Sequence, residues 1–412
     1  MSTVNRVLIT GITGFVGPHL AKTYIDEGVE VYGLVRRRAD GDVSRGLREV
    51  GVENQVRILE GNVEDLTSLL MAFDSSQPDI VFHLAAQSFV QRSFSSPLEC
   101  VTANSTGTAN LLEAMRLKTT NGTKLVFAGS SEEYGFVVLD EKQKSRFEAK
   151  KGRLFPQPQQ IPELPIRETN PLRPMSPYAV TKVFGELMTL EYSHSYGLKN
   201  VVSRGFNHEG ARRGHYFVTS TLARQVSTMI FNNNLKFKIG NMSAFRDWTH
   251  IDDMVDGYRL LARKGESGEV YNLSSERTNS VLGYLLTCLM ESGFSVKNLT
   301  SWHSKKKVRD PTEEAKIEMF GKKWRGMLVD KLMLEGELDF ELADGGLDLE
   351  TDHGAVKVEF DPARFRPTDV PILLGDSSKA RTLGFNPKHS IEDIVRDQLN
   401  YYADPAHRLV GV

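Results

Sequence analysis

The 412 residues include 51 lysines and arginines and 53 aspartates and glutamates, which gives a formal net charge of −2. A chain so close to neutral lacks the basic excess of nucleic-acid-binding proteins, and no apolar run reaches membrane-spanning length, so we expect neither nucleic acid nor membrane as a partner. The two cysteines, Cys100 and Cys288, form neither a disulfide framework nor a zinc site, so we predict no metal centre and a cytoplasmic location.

The first element is a short apolar run at residues 6–10, which is typical of a buried parallel strand. Glycines spaced G-x-x-G-x-x-G follow it at residues 11–17 and lead into a helical pattern. Glycine at these positions lets the backbone approach a pyrophosphate, which then sits on the helix N-terminus. The pattern therefore predicts a dinucleotide site, the alternative being a glycine-rich turn that binds nothing.

The second strand, at residues 30–35, ends in Arg36, Arg37 and Arg38. An NAD-preferring site usually has an acid at this point for the ribose 2′-hydroxyl, whereas an arginine accommodates the 2′-phosphate of NADP. Arg36 therefore favours NADP, and a merely solvated basic turn is the alternative.

Further strands are predicted at residues 56–63, 80–88, 124–129 and 200–206, with helical patterns between them. This alternation predicts an α/β fold with a Rossmann-like, doubly wound parallel sheet at 1–205, whose ligands bind at the carboxyl ends of the strands. We expect residues 206–412 to form mostly a smaller C-terminal α/β substrate lobe, with some segments returning to the first lobe.

The sequence SPYAVTK at residues 176–182 places Tyr178 and Lys182 one turn apart on a predicted helix. A nearby ammonium and the positive ring of an oxidised nicotinamide would lower the phenol pKa, so that the phenolate could act as a base. The alternative is a surface tyrosine and lysine on an ordinary amphipathic helix.

Two segments interrupt the pattern. Residues 136–165 become rich in lysine, glutamate and then proline, and form either a lid beside the site or a loop without function. Residues 300–355 suggest a β-rich insertion in the second lobe, and we expect strands at 338–342 and 355–360. The sequence leaves the purpose of both insertions open.

Several motifs together resemble the extended short-chain dehydrogenase/reductase family, and within it the GDP-mannose 4,6-dehydratases. They are the glycine turn, HLAAQS at 83–88, SSEEYG at 130–135, YAVTK at 178–182, and NHE-x-x-RRG-x-x-FVT at 207–219. The runs GN-x-x-A-x-RDW at 240–248 and FRP…LLGD-x-x-KA at 365–380 support the resemblance, which spans the chain apart from the two insertions.

The resemblance implies NADP as the cofactor, a nucleotide-diphosphate sugar such as GDP-mannose as the substrate, and a homodimer or homotetramer. The implied cofactor positions are Gly11, Thr13, Gly14, Phe15, Val16, Gly17, Arg36, Asn62, Val63, Leu84, Ala85, Ala86, Gln87, Ser88, Tyr178, Lys182, His208 and Arg213. The implied catalytic residues are Ser130, Glu132, Tyr178 and Lys182. The implied substrate positions are Ser88, Ser130, Glu132, Tyr178, Asn207, Val218, Arg246 and Arg366.

By this resemblance Tyr178 takes the proton from the sugar O4 during oxidation at C4, and Glu132 removes the C5 proton as water leaves C6. The product is a 4-keto-6-deoxy sugar nucleotide. Three alternatives stay open: a 4-keto-6-deoxy sugar nucleotide reductase, a sugar-nucleotide epimerase that leaves Glu132 idle, and a regulator that only binds NADP. For Glu132 the alternative to the catalytic role is a buried structural carboxylate.

The sequence also departs from the dehydratase pattern. Ser220 and Thr221 stand where these enzymes usually carry Arg-Lys, which removes two cations near the nucleotide. Asn62 replaces the usual aspartate beside the adenine, and Ser130 replaces a threonine while keeping its hydroxyl.

Overall fold

The computed structural model describes residues 4–37, 44–119, 122–232, 235–365 and 370–408. Its strands are, in chain order, β1 (Arg6–Thr10), β2 (Glu30–Val35), β3 (Arg57–Glu60), β4 (Ile80–His83), β5 (Lys124–Ser130), β6 (Lys199–Gly205), β7 (Asn207–Glu209), β8 (Lys236–Ile239), β9 (Phe245–Arg246), β10 (Trp248–His250), β11 (Glu269–Leu273), β12 (Asn279–Ser280), β13 (Val296–Ser301), β14 (Lys307–Arg309), β15 (Glu314–Met319), β16 (Lys322–Met327), β17 (Gly346–Thr351) and β18 (Gly354–Phe360).

The helices surround two sheets. They are α1 (Val16–Asp26), α2 (Arg45–Val50), α3 (Leu66–Ser76), α4 (Val90–Ser95), α5 (Pro97–Cys100), α6 (Gly107–Lys118), α7 (Glu141–Lys151), α8 (Pro177–Tyr196), α9 (Val218–Asn232), α10 (Ile251–Lys264), α11 (Val281–Glu291), α12 (Leu328–Leu334), α13 (Ser378–Leu383), α14 (Ile391–Ala403) and α15 (Pro405–Arg408), with a π-helical turn at Val101–Thr106. No helix within the described ranges is both long and apolar enough to cross a membrane.

The first lobe is built on a seven-stranded parallel sheet in the order β11-β6-β5-β4-β1-β2-β3. Its central strands are buried on both faces, as their continuous apolar runs require. The direction of winding reverses between β1 and β4, and this is the point where such sheets bind ligands. The predicted α/β class and doubly wound sheet are confirmed, and β11 shows that a segment beyond residue 206 returns to the first lobe.

The helix that carries Tyr178 begins where the sequence places it. Ser176 caps α8, since its Oγ accepts the Ala179 N–H at 3.1 Å, and Pro177 occupies the first turn. The helix ends at Gly197, which adopts a left-handed conformation with φ of 70°. These two ends fix the register that brings Tyr178 and Lys182 to the carboxyl edge of β5.

The second lobe contains a five-stranded sheet in the order β14-β13-β17-β18-β8, and α9, α11 and α14 share its core. The predicted strand at 355–360 lies within β18, but the prediction of a strand at 338–342 is wrong. There the Ser243 hydroxyl hydrogen bonds both the N–H and the C=O of Phe340, at 3.2 and 2.9 Å. The Ser243 hydroxyl thus supplies the hydrogen bonds to Phe340 that the backbone of a neighbouring strand would otherwise supply.

The two insertions meet behind the end of β5. The first contains α7 and folds back through residues 152–175, and the second contributes the β15–β16 hairpin. Ile317 and Trp324 of the hairpin share one apolar cluster with Val137 and Leu164 of the first insertion and with Tyr134. The predicted insertion at 136–165 is therefore packed against the end of the sheet.

A buried ion pair anchors the first insertion. Arg173 donates two hydrogen bonds of 2.7 Å to the Glu163 carboxylate, and both side chains are almost fully buried. Further bonds run from the Arg173 guanidinium to the main-chain oxygens of Phe136 and Pro156. The Arg173 guanidinium thus joins the end of this part of the chain to residues 136, 156 and 163 earlier in it.

We expect Arg173→Met to lower the free energy of unfolding by about 3–5 kcal/mol, because it leaves the Glu163 carboxylate buried without its partner. Urea unfolding of the two proteins measures this difference. Arg167→Met is the matched control: the Arg167 side chain is largely exposed against Asp376, and it should cost less than about 1 kcal/mol. Equal small losses in both variants would contradict the anchoring role.

Candidate active site

A cleft of about 450 Å³ opens at the carboxyl ends of the first sheet. Every position that the sequence predicted for the cofactor lines it, from Gly11 to Arg213. The predicted catalytic residues Ser130, Glu132, Tyr178 and Lys182 line the same cleft. Residues that are far apart in the chain therefore converge on one site.

The glycine turn between β1 and α1 leaves no room for side chains. Gly11 has φ of +72°, and a Cβ there would lie 2.6 Å from the Ala85 nitrogen. A Cβ on Gly17 would lie 2.5 Å from the Ile12 Cα. The turn consequently presents bare backbone at the N-terminus of α1, which suits the pyrophosphate of a dinucleotide.

Arg36 and Asn62 line the cleft after β2 and β3. Arg36 is exposed, so its guanidinium is free to meet solvent or a phosphate. Val63 is buried against Gly107 of α6, which fixes the wall next to Asn62. This end of the cleft therefore combines an exposed cation with an apolar wall.

The loop after β7 closes the other side of the cleft. The Arg213 guanidinium lies 3.5 Å from the ring centroid of Phe217, and its Nε is 3.3 Å from a Glu209 carboxylate oxygen. The His208 ring stacks on Phe15 with centroids 6.2 Å apart. Burial, together with the Arg213 charge, lowers the His208 pKa to about 4, so this imidazole is neutral at pH 7 and acts as a wall of the cleft.

Ser130 ends β5 and starts a single 3₁₀ turn, Ser131–Glu133. Its hydroxyl accepts the Glu132 N–H at 3.2 Å, and the same hydroxyl lies near enough to the Tyr178 phenol to lower the phenol pKa. This turn brings Glu132 to the cleft beside the two hydroxyl groups. A hydroxyl pair and a carboxylate thus face the same small volume.

Lys182 lies on the same helix face as Tyr178, with its Nζ 5.9 Å from the phenol ring centroid. The Nζ donates a 2.6 Å hydrogen bond to the Ala128 main-chain oxygen. Burial lowers the Lys182 pKa to about 8 and raises the pKa of the Tyr178 phenol, and the nearby Ser130 hydroxyl offsets part of the rise in the phenol pKa. The chain by itself therefore raises the phenol pKa, and the expected lowering depends on additional positive charge in the cleft.

The first lobe and part of the second match a family model, that of the NAD dependent epimerase/dehydratase family, over residues 7–274. The chain belongs to this family. A second model, named GDP-mannose 4,6 dehydratase, matches residues 331–398. The predicted family is thereby confirmed.

Relatives in this family match nearly the whole chain. The GDP-mannose 4,6-dehydratase of Sinorhizobium fredii is 30% identical over 404 residues, which cover 96% of each chain. The enzyme of that name from Vibrio cholerae is 30% identical over 403 residues, covering 96% of this chain and 92% of its own. The human GDP-mannose 4,6 dehydratase is 27% identical over 403 residues, covering 96% and 91%.

Solved structures of the family share the fold. RMD from Pseudomonas aeruginosa, complexed with NADPH, has a TM-score of 0.63 at 20% identity and covers 97% of this chain and 99% of its own. The UDP-glucose 4-epimerase of Thermotoga maritima, with UDP-glucose, has a TM-score of 0.66 at 22% identity and covers 96% and 98%. At these identities the likeness shows the epimerase/dehydratase fold alone.

Some of the predicted substrate positions line the cleft in the structure, and others do not. Ser88 and Asn207 line the cleft, whereas Val218 is the first residue of α9, next to the cleft residue Phe217. The Arg246 guanidinium is buried and donates to the main-chain oxygens of Phe245 and Val370, at 2.8 and 2.7 Å. Arg366 lies outside the described residues.

Some cleft residues were not predicted. They are mainly small or aromatic groups, among them Ala128, Gly129, Gly205, Phe206, Phe217 and Tyr258. Ala128 and Gly129 immediately precede Ser130. Small residues at the end of a strand could have indicated that a ligand approaches the backbone there. Tyr258 comes from α10, and no sequence pattern indicated that this helix reaches the cleft.

Proposed function

We propose that the chain is an NADP-dependent nucleotide-sugar 4,6-dehydratase that acts on GDP-mannose or a close relative. One observation carries the assignment: Glu132 lies at the cleft directly beside Ser130 and Tyr178. A reductase or epimerase has no step that requires a base there, whereas a dehydratase must remove the C5 proton. The full-length relatives named GDP-mannose 4,6-dehydratase support the same assignment.

The residues of the cleft have distinct tasks in this reaction. Tyr178 as the phenolate accepts the proton from the sugar O4, and Ser130 hydrogen bonds the carbonyl that forms at C4. Lys182 holds the cofactor ribose and favours the phenolate by its charge. When bound, NADP supplies temporary storage of the hydride from C4, which returns at C6, so that none is consumed overall.

The ketone at C4 makes the C5 proton acidic. Glu132 removes that proton, and water leaves from C6, which gives a 4-keto-6-deoxy sugar after reduction at C6. Glu132 follows Ser130 by two residues in a tight turn. The short stretch of backbone between them therefore holds the Glu132 carboxylate close to the Ser130 hydroxyl that hydrogen bonds the C4 carbonyl. His208, neutral and stacked on Phe15, takes no part in the proton transfers.

Incubation of the purified protein with GDP-mannose, without added reductant, tests the proposal. We expect a 4-keto product with no stoichiometric change in cofactor absorbance. Turnover of a keto sugar only with consumption of NADPH would indicate a reductase, and interconversion of sugar epimers would indicate an epimerase. Cofactor binding without turnover on any sugar nucleotide would indicate a regulator.

NADP specificity rests on Arg36. We expect Arg36→Asp to weaken NADP⁺ binding by at least about tenfold and to change NAD⁺ binding much less, because the guanidinium pairs only with the 2′-phosphate. Titration of each cofactor, followed by protein fluorescence, measures both constants. Arg37→Asp is the matched control, since Arg37 carries the same charge but does not line the cleft. Equal effects in both variants would refute a specific role for Arg36.

A homo-oligomer is the third part of the proposal. An apolar patch on α8 and the neighbouring helical segment exposes Leu98, Val101, Val180, Phe184 and Leu187. Exposed apolar patches of this kind on a helix pair mark protein–protein contacts.

We expect Phe184→Glu to shift the protein toward the monomer, because a charge in the centre of the patch would be buried by a second copy. Light scattering during size-exclusion chromatography measures the mass. Met71→Glu on α3 is the control: Met71 is also an exposed apolar residue but lies outside the patch, so this substitution should leave the mass unchanged. An unchanged mass for the Phe184 variant would exclude this face as the interface.

A further inference from the structure

Two buried carboxylates lie directly behind the catalytic serine, and the mechanism above does not use them. Glu133 follows Glu132 in the 3₁₀ turn, and Glu186 lies two turns after Tyr178 in α8. Their side chains are 0% and 2% exposed, respectively. Burying acidic groups this completely is costly, so each needs a compensating partner.

Glu186 has its partner. The Arg204 guanidinium of β6 donates to both of its oxygens, from Nε at 2.8 Å and from Nη2 at 2.6 Å. The remaining terminal nitrogen of Arg204 donates to the Tyr134 hydroxyl at 2.9 Å and to the Glu168 main-chain oxygen at 3.0 Å. Glu186 and Arg204 therefore form a neutral pair, in which each Glu186 oxygen accepts one hydrogen bond from the guanidinium.

Glu133 is different. Its Oε1 accepts the Ser130 main-chain N–H at 2.6 Å, but its Oε2 is buried and meets no donor among the described residues. Arg204 Nε is 4.0 Å away, which is too far for a hydrogen bond. The Glu186 carboxylate lies on the other side of the same guanidinium nitrogen: Arg204 Nε is 2.8 Å from Glu186 Oε2 and 4.0 Å from Glu133 Oε2, so the two carboxylates flank one cation. Two ionised carboxylates that share one cation in a buried site repel each other, and a proton on Glu133 removes this repulsion.

We propose that Glu133 is a positioning residue that works as the uncharged carboxylic acid. It accepts the Ser130 N–H, donates its own proton to Glu186, and so holds the serine without placing a negative charge beside Tyr178 and Lys182. The expected effects on activity rest on the proposed function, whereas the protonation state of Glu133 can be tested without it.

The charge matters because of the groups that face Glu133. They are Tyr178, Lys182 and Glu186 of α8, Arg204 of β6, and Glu132 of its own turn. Burial first, and then the Glu186 charge, raise the pKa of Glu133 well above its usual range. An ionised Glu133 would raise the Tyr178 pKa further and oppose the phenolate. When Glu133 is uncharged, it does not oppose the Lys182 ammonium, whose positive charge favours the Tyr178 phenolate.

Substitutions at the two carboxylates test the proposal through the pH profile of kcat/KM. Glu133→Leu removes both hydrogen bonds and should lower kcat at least about tenfold through misplacement of Ser130. Glu133→Gln has the shape and hydrogen-bonding groups of the neutral acid, so it should restore most of that loss and leave the acid limb at the wild-type pH. Glu186→Gln should move the acid limb up by about one pH unit, because Arg204 then draws Glu133 into its ionised form.

The double variant Glu133→Gln/Glu186→Gln should lose that shift, whatever its stability. Asp330→Asn is the matched control: Asp330 is a buried carboxylate in the second lobe, bonded to Ser280 and Asn279, and its loss should lower stability without moving the limb. A limb that moves as far in Glu133→Gln as in Glu186→Gln would overturn the proposal.

Infrared spectroscopy decides the protonation state without turnover and without the Glu186 variants. A protonated carboxylic acid has a carbonyl stretch separate from the carboxylate bands. We expect this band at pH 8 in the wild type and its loss in Glu133→Gln. If the wild type and Glu133→Gln have the same spectrum in this region, Glu133 is ionised and the proposal fails, even if the protein is a dehydratase.

Discussion

Tyr178→Phe should lower kcat for dehydration by about three orders of magnitude, the middle of the range for loss of one acid–base group. In the proposed mechanism the phenol oxygen takes the O4 proton, and the phenylalanine side chain has no group that can do so. The ring itself remains packed, so NADP⁺ should bind with an affinity close to that of the wild type. Stopped-flow measurement of cofactor reduction, together with a cofactor titration, separates these two quantities.

Tyr284→Phe is the matched control for this substitution. The Tyr284 hydroxyl is buried in the second lobe and donates to Gln398 at 2.7 Å, so its removal costs one hydrogen bond far from the cleft. This variant should lose a little stability and no activity. If Tyr178→Phe retains more than about a tenth of the wild-type rate, another group takes the O4 proton.

Glu132→Gln should separate the two halves of the reaction. The amide cannot accept the C5 proton, so we expect loss of water to slow by about a thousandfold. Oxidation at C4 depends on Tyr178, Lys182 and Ser130, which the substitution leaves in place. Reduced cofactor should therefore accumulate on the enzyme, up to one per site, without release of a 4-keto-6-deoxy product.

Absorbance of the reduced cofactor and chromatography of the sugar nucleotides measure the two halves in one experiment. A second readout is exchange of the C5 proton with deuterated solvent, which the variant should lose. Glu141→Gln, at an exposed position of α7, is the control. Normal dehydration by Glu132→Gln would show that the role assigned to Glu132 is wrong.

Much of the site could be predicted from local patterns in the sequence. The glycine turn, the run after β5, and Tyr178 with Lys182 each have a spacing that reflects a backbone requirement, and each lies at the end of a predicted strand or in the first turns of a predicted helix. In a parallel sheet all such ends lie at one edge. Local patterns were therefore enough to bring Gly11, Ser130 and Tyr178 into one cleft.

Other features depend on contacts that no local pattern encodes. Nothing near Phe340 indicated that the Ser243 hydroxyl would take up its backbone groups in place of a strand. Likewise, the ion pair between Arg173 and Glu163 could not be predicted, because the conformation of the residues between them brings the two side chains together. The two main-chain oxygens that accept from the Arg246 guanidinium, those of Phe245 and Val370, could not be predicted from the sequence either.

The sequence by itself determined the doubly wound sheet, the family and many of the groups at the cleft, because these follow from periodicity and from short motifs at strand ends. Only the tertiary structure decided how Glu133, Glu186, Arg204 and Lys182 share their charges behind Ser130. Those four residues come from three separate elements. The protonation of a buried carboxylate depends on the distances between them and on the loss of water around them, and a sequence specifies these only once the chain has folded.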